Sequence, residues 1–444
     1  MRPHQVQTLP LGGAESLLKE RYGQLLREAR RRTLELVEPV GEADMDRVHD
    51  PLMSPLDWDL GHIAAFEDLW LCQRAGGLEP LRPELAEVYD AAETPRVGRG
   101  DLPYLLVGEA REFMDEVRGR ALCVLEEADL SDDGDSLNAG GFVWEMLVEH
   151  EHQHNETMLQ TLKLAVPGTY APERRPVPPA PAGAGSSPTV RVEAGPFPLG
   201  GSGGGFAYDN ERPQHETELP AFEIDRLPVT NGAYLEFVDG GGYSRREWWS
   251  EAGWAWKEEE AVERPLYWTA DGRERSFDRI APIDPSLPVM HVSWYEADAF
   301  ARSRGRRLPA EAEWEKAASW EPQSETKRRY PWGDESPDVR HANLDQLAFG
   351  PAPAGAYPAG ASPCGALGMI GDAWEWTGSE FTGYPGFRAF PYAEYSEVFF
   401  DRGYRVLRGG SWASRPRAIR TTFRNWDWPQ RRQIFAGFRC AVDA

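Results

Sequence analysis

The stretch VEHEHQHNET, residues 148–157, decides the fold of the N-terminal half, and it carries three of the 9 histidines in the chain. A helix advances about 100° per residue, so His150 and His154 face the same side, one turn apart. His152 points elsewhere. The spacing therefore predicts a helix that presents two imidazoles on its buried stripe, with His152 facing solvent or supporting the pair from outside.

Four segments of the first half show helical periodicity of their apolar residues. They are residues 18–36, 59–73, 106–124 and 141–165. The last segment ends before Pro167 and Gly168, which is a normal exit from a helix. Four long helices predict a four-helix bundle, whose core commonly holds metal sites built from facing helices.

Two imidazoles four residues apart can hold one divalent ion, and neutral imidazole suits Zn, Fe, Cu or Ni. The third ligand must come from another helix, and His62 lies on the core-facing stripe of residues 59–73. Three neutral histidines without a carboxylate leave positions for water, a thiolate or O₂, and open positions are typical of reactive sites. The alternative is that each histidine is a core residue bonded to a neighbour.

The second half of the chain differs in composition and in the length of its apolar runs. Residues 167–189 are dense in Pro, Ala, Gly and Ser, which is typical of a semi-rigid linker. Beyond them, short apolar runs such as YRVLRGGSW alternate with turn residues, and two short helices are predicted, one from Ser293 and one from Pro309 with the proline in the first turn. We predict an α+β protein with domains over residues 12–166 and 190–444.

Composition excludes several classes of protein. A net charge of −24 over 444 residues provides no basic surface for nucleic acid and repels anionic lipid. No run is long and apolar enough to span a bilayer, and the N-terminal stretch lacks a signal-peptide core. The 4 cysteines form no CxxC pair. We expect a soluble, cytoplasmic monomer that acts on small molecules.

Several motifs carry a resemblance to known families. WDLGHIAAFE, residues 58–67, together with His150, His154 and Glu156, resembles the HxxxHxE pattern of DinB-type bundles. RLPAEAEWEKAA, YPWGD, GDAWEWT and VLRGGSW resemble the formylglycine-generating-enzyme (sulfatase-modifying factor) domain, which has a C-type-lectin-like fold. Joined in this order, the two cover nearly the whole chain and resemble the hercynine oxygenase (ergothioneine sulfoxide synthase) family.

The resemblance implies a mononuclear non-haem Fe(2+) held by His62, His150 and His154. It implies that O₂ is used to join a thiol sulfur to the imidazole carbon of hercynine, N-α-trimethylhistidine, with a sulfoxide as product. PYAEYSEVFF and RNWDWPQRRQIFAGFR are similar to the branch that uses γ-glutamylcysteine. A tyrosine is implied as catalytic acid, and we prefer Tyr392 to Tyr395.

The resemblance also implies residues that bind the two substrates. Those for hercynine are Gln153, Asn425 and Trp426, and those for the thiol donor are Arg96, Arg99, Asp427 and Arg431. An indole ring suits a trimethylammonium group. Guanidinium forks suit carboxylates, and an aspartate suits the glutamyl ammonium.

One departure concerns copper. Formylglycine-generating enzymes hold it with a cysteine pair, whereas this chain has Cys440 but TTFRN, residues 421–425, where the partner is expected. The lectin-like half is therefore expected to lend loops to the histidine site.

Three alternatives stay open. The first keeps the fold and the metal but uses cysteine or a selenium donor, as in selenoneine synthase. The second is a DinB-type thiol transferase that uses Zn or Ni without oxygen. The third is a lectin-like module that binds a ligand without turnover.

Overall fold

The computed structural model describes residues 11–131, 137–181, 189–202 and 205–444. The chain divides into two compact units, Met1–Tyr170 and Ala171–Ala444. Arg174 and Arg175, inside the predicted linker, bond to Ser276 and Leu347 of the second unit. Residues 182–188 of that linker lie outside the described residues.

The first unit is the predicted four-helix bundle. Its helices are α1 (Leu11–Val37), the single turn α2 (Glu42–Met45), α3 (Leu56–Glu67), which continues as a π-helix over Asp68–Ala75, α4 (Val107–Glu127) and α5 (Phe142–Leu164). Short 3-10 turns at Pro83–Leu85 and Arg96–Asp101 interrupt the long connection between α3 and α4. Helix α3 packs against both α4 and α5, and α1 packs against α5.

A ring of four buried charges joins the four long helices. Arg30 of α1 binds Glu67 of α3 at 2.6 Å and Glu151 of α5 at 2.9 Å. Arg118 of α4 binds the same two carboxylates at 2.6 and 3.0 Å. Because each charge has partners on two other helices, sliding one helix along its neighbours would leave a buried charge unpaired, which is costly. The ring therefore fixes the register of the bundle.

The second unit has four helices among its described residues. They are α6 (Asn231–Asp239), α7 (Glu251–Glu259), α8 (Trp294–Ser303) and α9 (Glu311–Ser319). The two predicted helices are thus confirmed, and Ser293 caps α8 by accepting from the Glu296 amide. The placement of Pro309 was wrong, because α9 has Ala310 at its N-cap and the proline precedes it. Helices α6 and α7 were not predicted.

The strands of the second unit form small sheets. They are β1 (Thr189–Val192), β2 (Gly195–Leu199), β3 (His215–Leu219), β4 (Phe222–Asp225), β5 (Arg273–Ser276), β6 (Arg279–Pro282), β7 (Trp320–Glu321), β8 (Thr326–Lys327), β9 (Trp374–Glu380), β10 (Arg405–Arg408), β11 (Asn425–Asp427), β12 (Ala436–Gly437) and β13 (Ala441–Asp443). The larger sheets have the orders β1-β4-β13 and β11-β10-β9-β12, with only β12 parallel to its neighbour. Three two-stranded ribbons, β2-β3, β5-β6 and β7-β8, complete the described strands.

The motifs of the second unit meet in its core. Arg408, from VLRGGSW, is fully buried and binds Glu311 at 2.6 Å and Glu315 at 2.5 Å, both from RLPAEAEWEKAA. Arg439 binds Glu375, from GDAWEWT, at 2.7 Å. Removing one partner of such a buried pair is strongly destabilising, so these motif residues hold the domain together.

Candidate metal centre

Three imidazoles meet inside the bundle, one from α3 and two from α5. One nitrogen from each of His62, His150 and His154 lies within 4.8 Å of the other two. The ring centroids are 4.6–5.3 Å apart. Within the described ranges, no other group of three histidine, cysteine, aspartate or glutamate side chains comes this close. The structure thus brings together the three predicted ligands.

His62 is held by contacts on two sides. Its Nδ1–H donates to the carbonyl of Tyr89 at 2.8 Å, which leaves the Nε2 lone pair for a metal. The indole of Trp58 stacks on the imidazole with centroids 4.9 Å apart. Tyr89 reaches α3 because residue 61 is glycine, since a Cβ there would lie 2.1 Å from the tyrosine hydroxyl oxygen.

The other two imidazoles are held differently. The His150 ring stacks on Phe66, with centroids 3.8 Å apart and planes within 14° of parallel. The Nδ1 atom of His154 lies 3.3 Å from Oδ1 of Asp59, a carboxylate that is 1% exposed. A backbone carbonyl, an aromatic ring and a carboxylate therefore each lie against one of the three imidazoles.

The electrostatics of the centre favour neutral imidazoles. Burial lowers the pKa of His62 and of His150 well below the ordinary value, and the neighbouring His154 lowers both further. Neutral imidazole is the form that binds a metal. Three imidazole donors suit a first-row divalent ion and leave positions in its coordination sphere for reactants. The residues present therefore fit a catalytic metal.

Helix α5 is buried differently from the sequence prediction. His150 and His154 are only half-buried, whereas Glu151 and Asn155 are fully buried, and a side-chain oxygen of each lies 2.9 Å from the hydroxyl oxygen of Thr33 in α1. His152 is 3% exposed, with Nε2 3.8 Å from a carboxylate oxygen of Glu28. Of the two predicted positions for His152, the one facing solvent was wrong, because α1 covers that side of α5.

Gln153, proposed from the sequence to meet the substrate imidazole, is half-buried and directly precedes His154. Glu156, part of the DinB-like pattern, is buried and does not belong to the three-histidine group.

The two arginines predicted to bind the thiol donor lie in the 3-10 turn Arg96–Asp101. Arg99 is buried, and its guanidinium carbon lies 3.7 Å from the centroid of the Trp58 indole that stacks on His62. Three of its N–H groups are bonded, to Thr94 O, Ser54 Oγ and Ala91 O. Burial lowers the pKa of Arg99 to about 10, against the opposing effect of Asp59. Arg96 is half-buried, and its guanidinium makes long contacts, of 3.5–3.6 Å, with Leu52 O and Met53 Sδ.

The candidate tyrosines and hercynine contacts cluster in the second unit. Tyr395 meets Trp426 edge-on at 5.9 Å and Tyr392 at 6.1 Å. Trp426 lies in β11 beside Asn425 and stacks on Phe381, with centroids 4.1 Å apart. Asp427, at the end of the same strand, lies 3.6 Å from the Arg431 guanidinium. The structure thus groups residues that are about 30 positions apart in the sequence.

An unpredicted aspartate anchors the tyrosine-bearing segment. Buried Asp209 accepts from the amide of Phe390 at 3.2 Å and from the hydroxyl of Ser396 at 2.6 Å. Burial, then Asp209 and Glu394, raise the pKa of Tyr392 above its ordinary value. The phenol is therefore protonated at neutral pH, and it gives up its proton less readily than an ordinary tyrosine does.

Both parts of the chain match known protein families. Residues 25–158 match the DinB superfamily, and residues 175–444 match the sulfatase-modifying factor enzyme 1-like domain. A hercynine oxygenase from Mycolicibacterium thermoresistibile is 47% identical over 94% of this chain and 93% of that protein. One from Mycobacterium tuberculosis is 48% identical over 94% of this chain and 97% of that protein. The chain belongs to the hercynine oxygenase family.

Membership in the hercynine oxygenase family confirms the predicted resemblance and the α+β fold class with its order of domains. It also identifies the chain as an oxygenase. A formylglycine-generating enzyme from Streptomyces coelicolor is 31% identical over 57% of this chain and 89% of that protein. None of the helices in the described part of the chain is long and apolar enough to cross a bilayer.

Proposed function

We propose that this chain is an O₂-dependent non-haem iron enzyme that joins hercynine to γ-glutamylcysteine in ergothioneine biosynthesis. The imidazole C–H and the thiol S–H are replaced by a C–S bond, the sulfur becomes a sulfoxide, and the second oxygen atom leaves as water. One O₂ accepts the four electrons that this requires. The observation that carries the proposal is the three-imidazole cluster in a chain nearly half identical to hercynine oxygenases.

His62, His150 and His154 would hold the iron, and no carboxylate belongs to this group. A ferrous ion held this way would supply an oxygen-reactive centre that also accepts a thiolate sulfur. Burial keeps His62 and His150 neutral, and Tyr89, Phe66 and Asp59 each lie against one of the three rings. The protein's part is therefore to keep three nitrogens converged before any reactant arrives.

The hercynine contacts that we propose are Gln153, Asn425 and Trp426. A trimethylammonium group is attracted to an aromatic face by about 0.5–2 kcal/mol per contact. Trp426 is half-buried, and its ring is fixed by stacking on Phe381. A fixed indole loses little conformational freedom when the cation binds.

Replacing Tyr392 with phenylalanine removes a proton donor and keeps the ring. We expect kcat for sulfoxide formation to fall by about 10²–10⁴-fold, the range for loss of a general acid, while KM for hercynine changes little. Tyr395→Phe is the matched control, because its ring keeps the stacking on Tyr208. A large loss in Tyr395→Phe alone would assign the role to Tyr395, and full activity of both variants would remove the tyrosine from the mechanism.

Arg96, Arg99, Asp427 and Arg431 are the residues that we propose for the thiol donor. Replacing Arg431 with methionine keeps most of the stem and removes the charge. We expect KM for γ-glutamylcysteine to rise about 10- to 100-fold, since a hydrogen bond to a charged group is worth about 1.5–3 kcal/mol, with KM for hercynine unchanged. Arg96→Met should show the same pattern. Unchanged KM for γ-glutamylcysteine in both variants would point to cysteine or a selenium compound as the donor.

The proposal is tested with the full chain and Fe(II), with and without O₂. Mass spectrometry should detect the coupled sulfoxide from hercynine and γ-glutamylcysteine in air, with O₂ consumed in equal amount, and no product under anaerobic conditions. Cysteine and a selenium donor are assayed in parallel. Product formed without O₂, or with Zn or Ni in place of Fe, would instead indicate a thiol transferase. Tight hercynine binding without turnover would indicate a binding module.

We further propose that the enzyme works as a monomer in the cytoplasm. Its four cysteines are free, and Cys72 and Cys440 are buried thiols. A reducing compartment maintains cysteines in that state.

A further inference from the structure

Among the described residues, one buried carboxylate lies beside a histidine of the three-histidine group and makes no hydrogen bond. Asp59 lies on α3, three residues before His62, and is 1% exposed. Within the part of the chain that the structure describes, neither of its oxygens makes a hydrogen bond, and Nδ1 of His154 makes none either. Yet Asp59 Oδ1 and His154 Nδ1 are 3.3 Å apart. Burying polar groups without a hydrogen bond is costly, so these two atoms require each other.

Charge decides which way the hydrogen bond between them must run. If Nδ1 carried the lone pair, it would face a negative oxygen across 3.3 Å. If Nδ1 carries the proton, the carboxylate accepts it and the lone pair moves to Nε2. The second arrangement satisfies both groups and turns a basic nitrogen of His154 toward the metal.

We propose that Asp59 is a positioning residue for the metal centre, accepting a hydrogen bond from Nδ1–H of His154. It fixes the tautomer and ring orientation of that ligand and adds one negative charge beside a centre of three neutral donors. His62 and His150 are oriented by a neutral carbonyl and an apolar ring, so His154 is the ligand with a charged support. The inference rests on the proposed metal centre.

The test compares Asp59 with a second buried aspartate on the same helix. Asp57 is also 1% exposed, but its carboxylate accepts from the backbone N–H of Val107. We would measure Co(II) affinity of the full chain by competition with a chelator, and record the visible spectrum of the Co(II) form. Asp59→Ala should weaken Co(II) binding by about 10- to 100-fold, as loss of an outer partner of a ligand does. Asp59→Asn keeps an oxygen acceptor without the charge, so its Co(II) affinity should lie between those of Asp59→Ala and the unmodified protein. Asp57→Asn should bind Co(II) as the unmodified protein does.

Two outcomes overturn different statements. If both Asp59 variants bind Co(II) as tightly as Asp57→Asn, with the same visible bands, Asp59 does not support the ligand. If the unmodified chain takes up no stoichiometric Co(II), or His154→Ala binds it normally, the proposed metal centre itself fails. Circular dichroism of each metal-free variant identifies misfolding. If Asp59→Ala misfolds, Asp59→Asn, which matches aspartate in shape, shows through its Co(II) bands whether Asp59 supports the ligand.

Discussion

Replacing His150 with alanine is expected to remove iron and sulfoxide formation together. The two remaining imidazoles come from different helices, and loss of a ligand should cost more than the roughly 10- to 100-fold that an outer partner costs. We therefore expect Fe(II) affinity to fall by more than about 100-fold and turnover to drop below detection. Iron analysis after anaerobic loading and gel filtration, together with the sulfoxide assay, measures both.

His152→Ala is the matched control for this variant. It removes an imidazole from the same helix, two positions away, that packs toward Glu28 and not toward the three-histidine group. We expect iron content and activity close to those of the unmodified protein. Iron lost from His152→Ala and kept by His150→Ala would show that the ligand set is wrong.

Replacing Glu67 with alanine is expected to destabilise the bundle more than any surface substitution. Glu67 binds Arg30 and Arg118 inside the four-charge ring, and its loss leaves two guanidinium groups buried beside one carboxylate, Glu151. Breaking a buried pair in this way costs about 3–5 kcal/mol. Urea unfolding of the full chain, followed by circular dichroism at a helix-sensitive wavelength, measures the change.

The comparison for Glu67 is Glu35→Ala. Glu35 pairs with Arg31 at 2.8 Å on the exposed side of α1, in an i, i+4 pair worth about 0.3–0.5 kcal/mol. If Glu67→Ala and Glu35→Ala unfold at the same urea concentration, the ring does not fix the register of the helices.

The bundle and the histidine pair could be predicted from the sequence because both follow from the local spacing of residues. A period of 3.6 residues marks the helices, and an i, i+4 step sets His150 beside His154 whatever surrounds them. The burial of the His152 side chain could not be predicted in this way. It depends on which side of α5 packs against α1, and polar residues such as Glu151 and Asn155 occupy that side.

The residues that lie against the three imidazoles differ in how well the sequence alone predicts their position. Asp59 and Phe66 stand three residues before and four residues after His62, so helical spacing places them beside it. Tyr89 lies 27 residues further along the chain, and only the folded connection brings its carbonyl to His62. Asp209 is 181 residues from Phe390, and no periodic pattern connects residues so far apart.

In the second unit, the resemblance to known families predicted more of the fold than the spacing of apolar residues did. Helices α6 and α7 have nine residues each, too short for a clear apolar stripe, although Thr230 and Ser250 cap them in the usual way. The motifs identified the domain, and the structure shows why they matter: residues such as Glu311 and Arg408 form buried ion pairs. Their role in chemistry could not be separated from their role in folding by sequence alone.

The most direct measurement is an anomalous difference map at the iron absorption edge, from crystals of the full chain grown anaerobically with Fe(II). We predict one peak per chain, about 2 Å from a nitrogen of each of His62, His150 and His154. An iron peak elsewhere in the chain, with the three imidazoles turned away from a common point, would contradict a ferrous centre in the bundle.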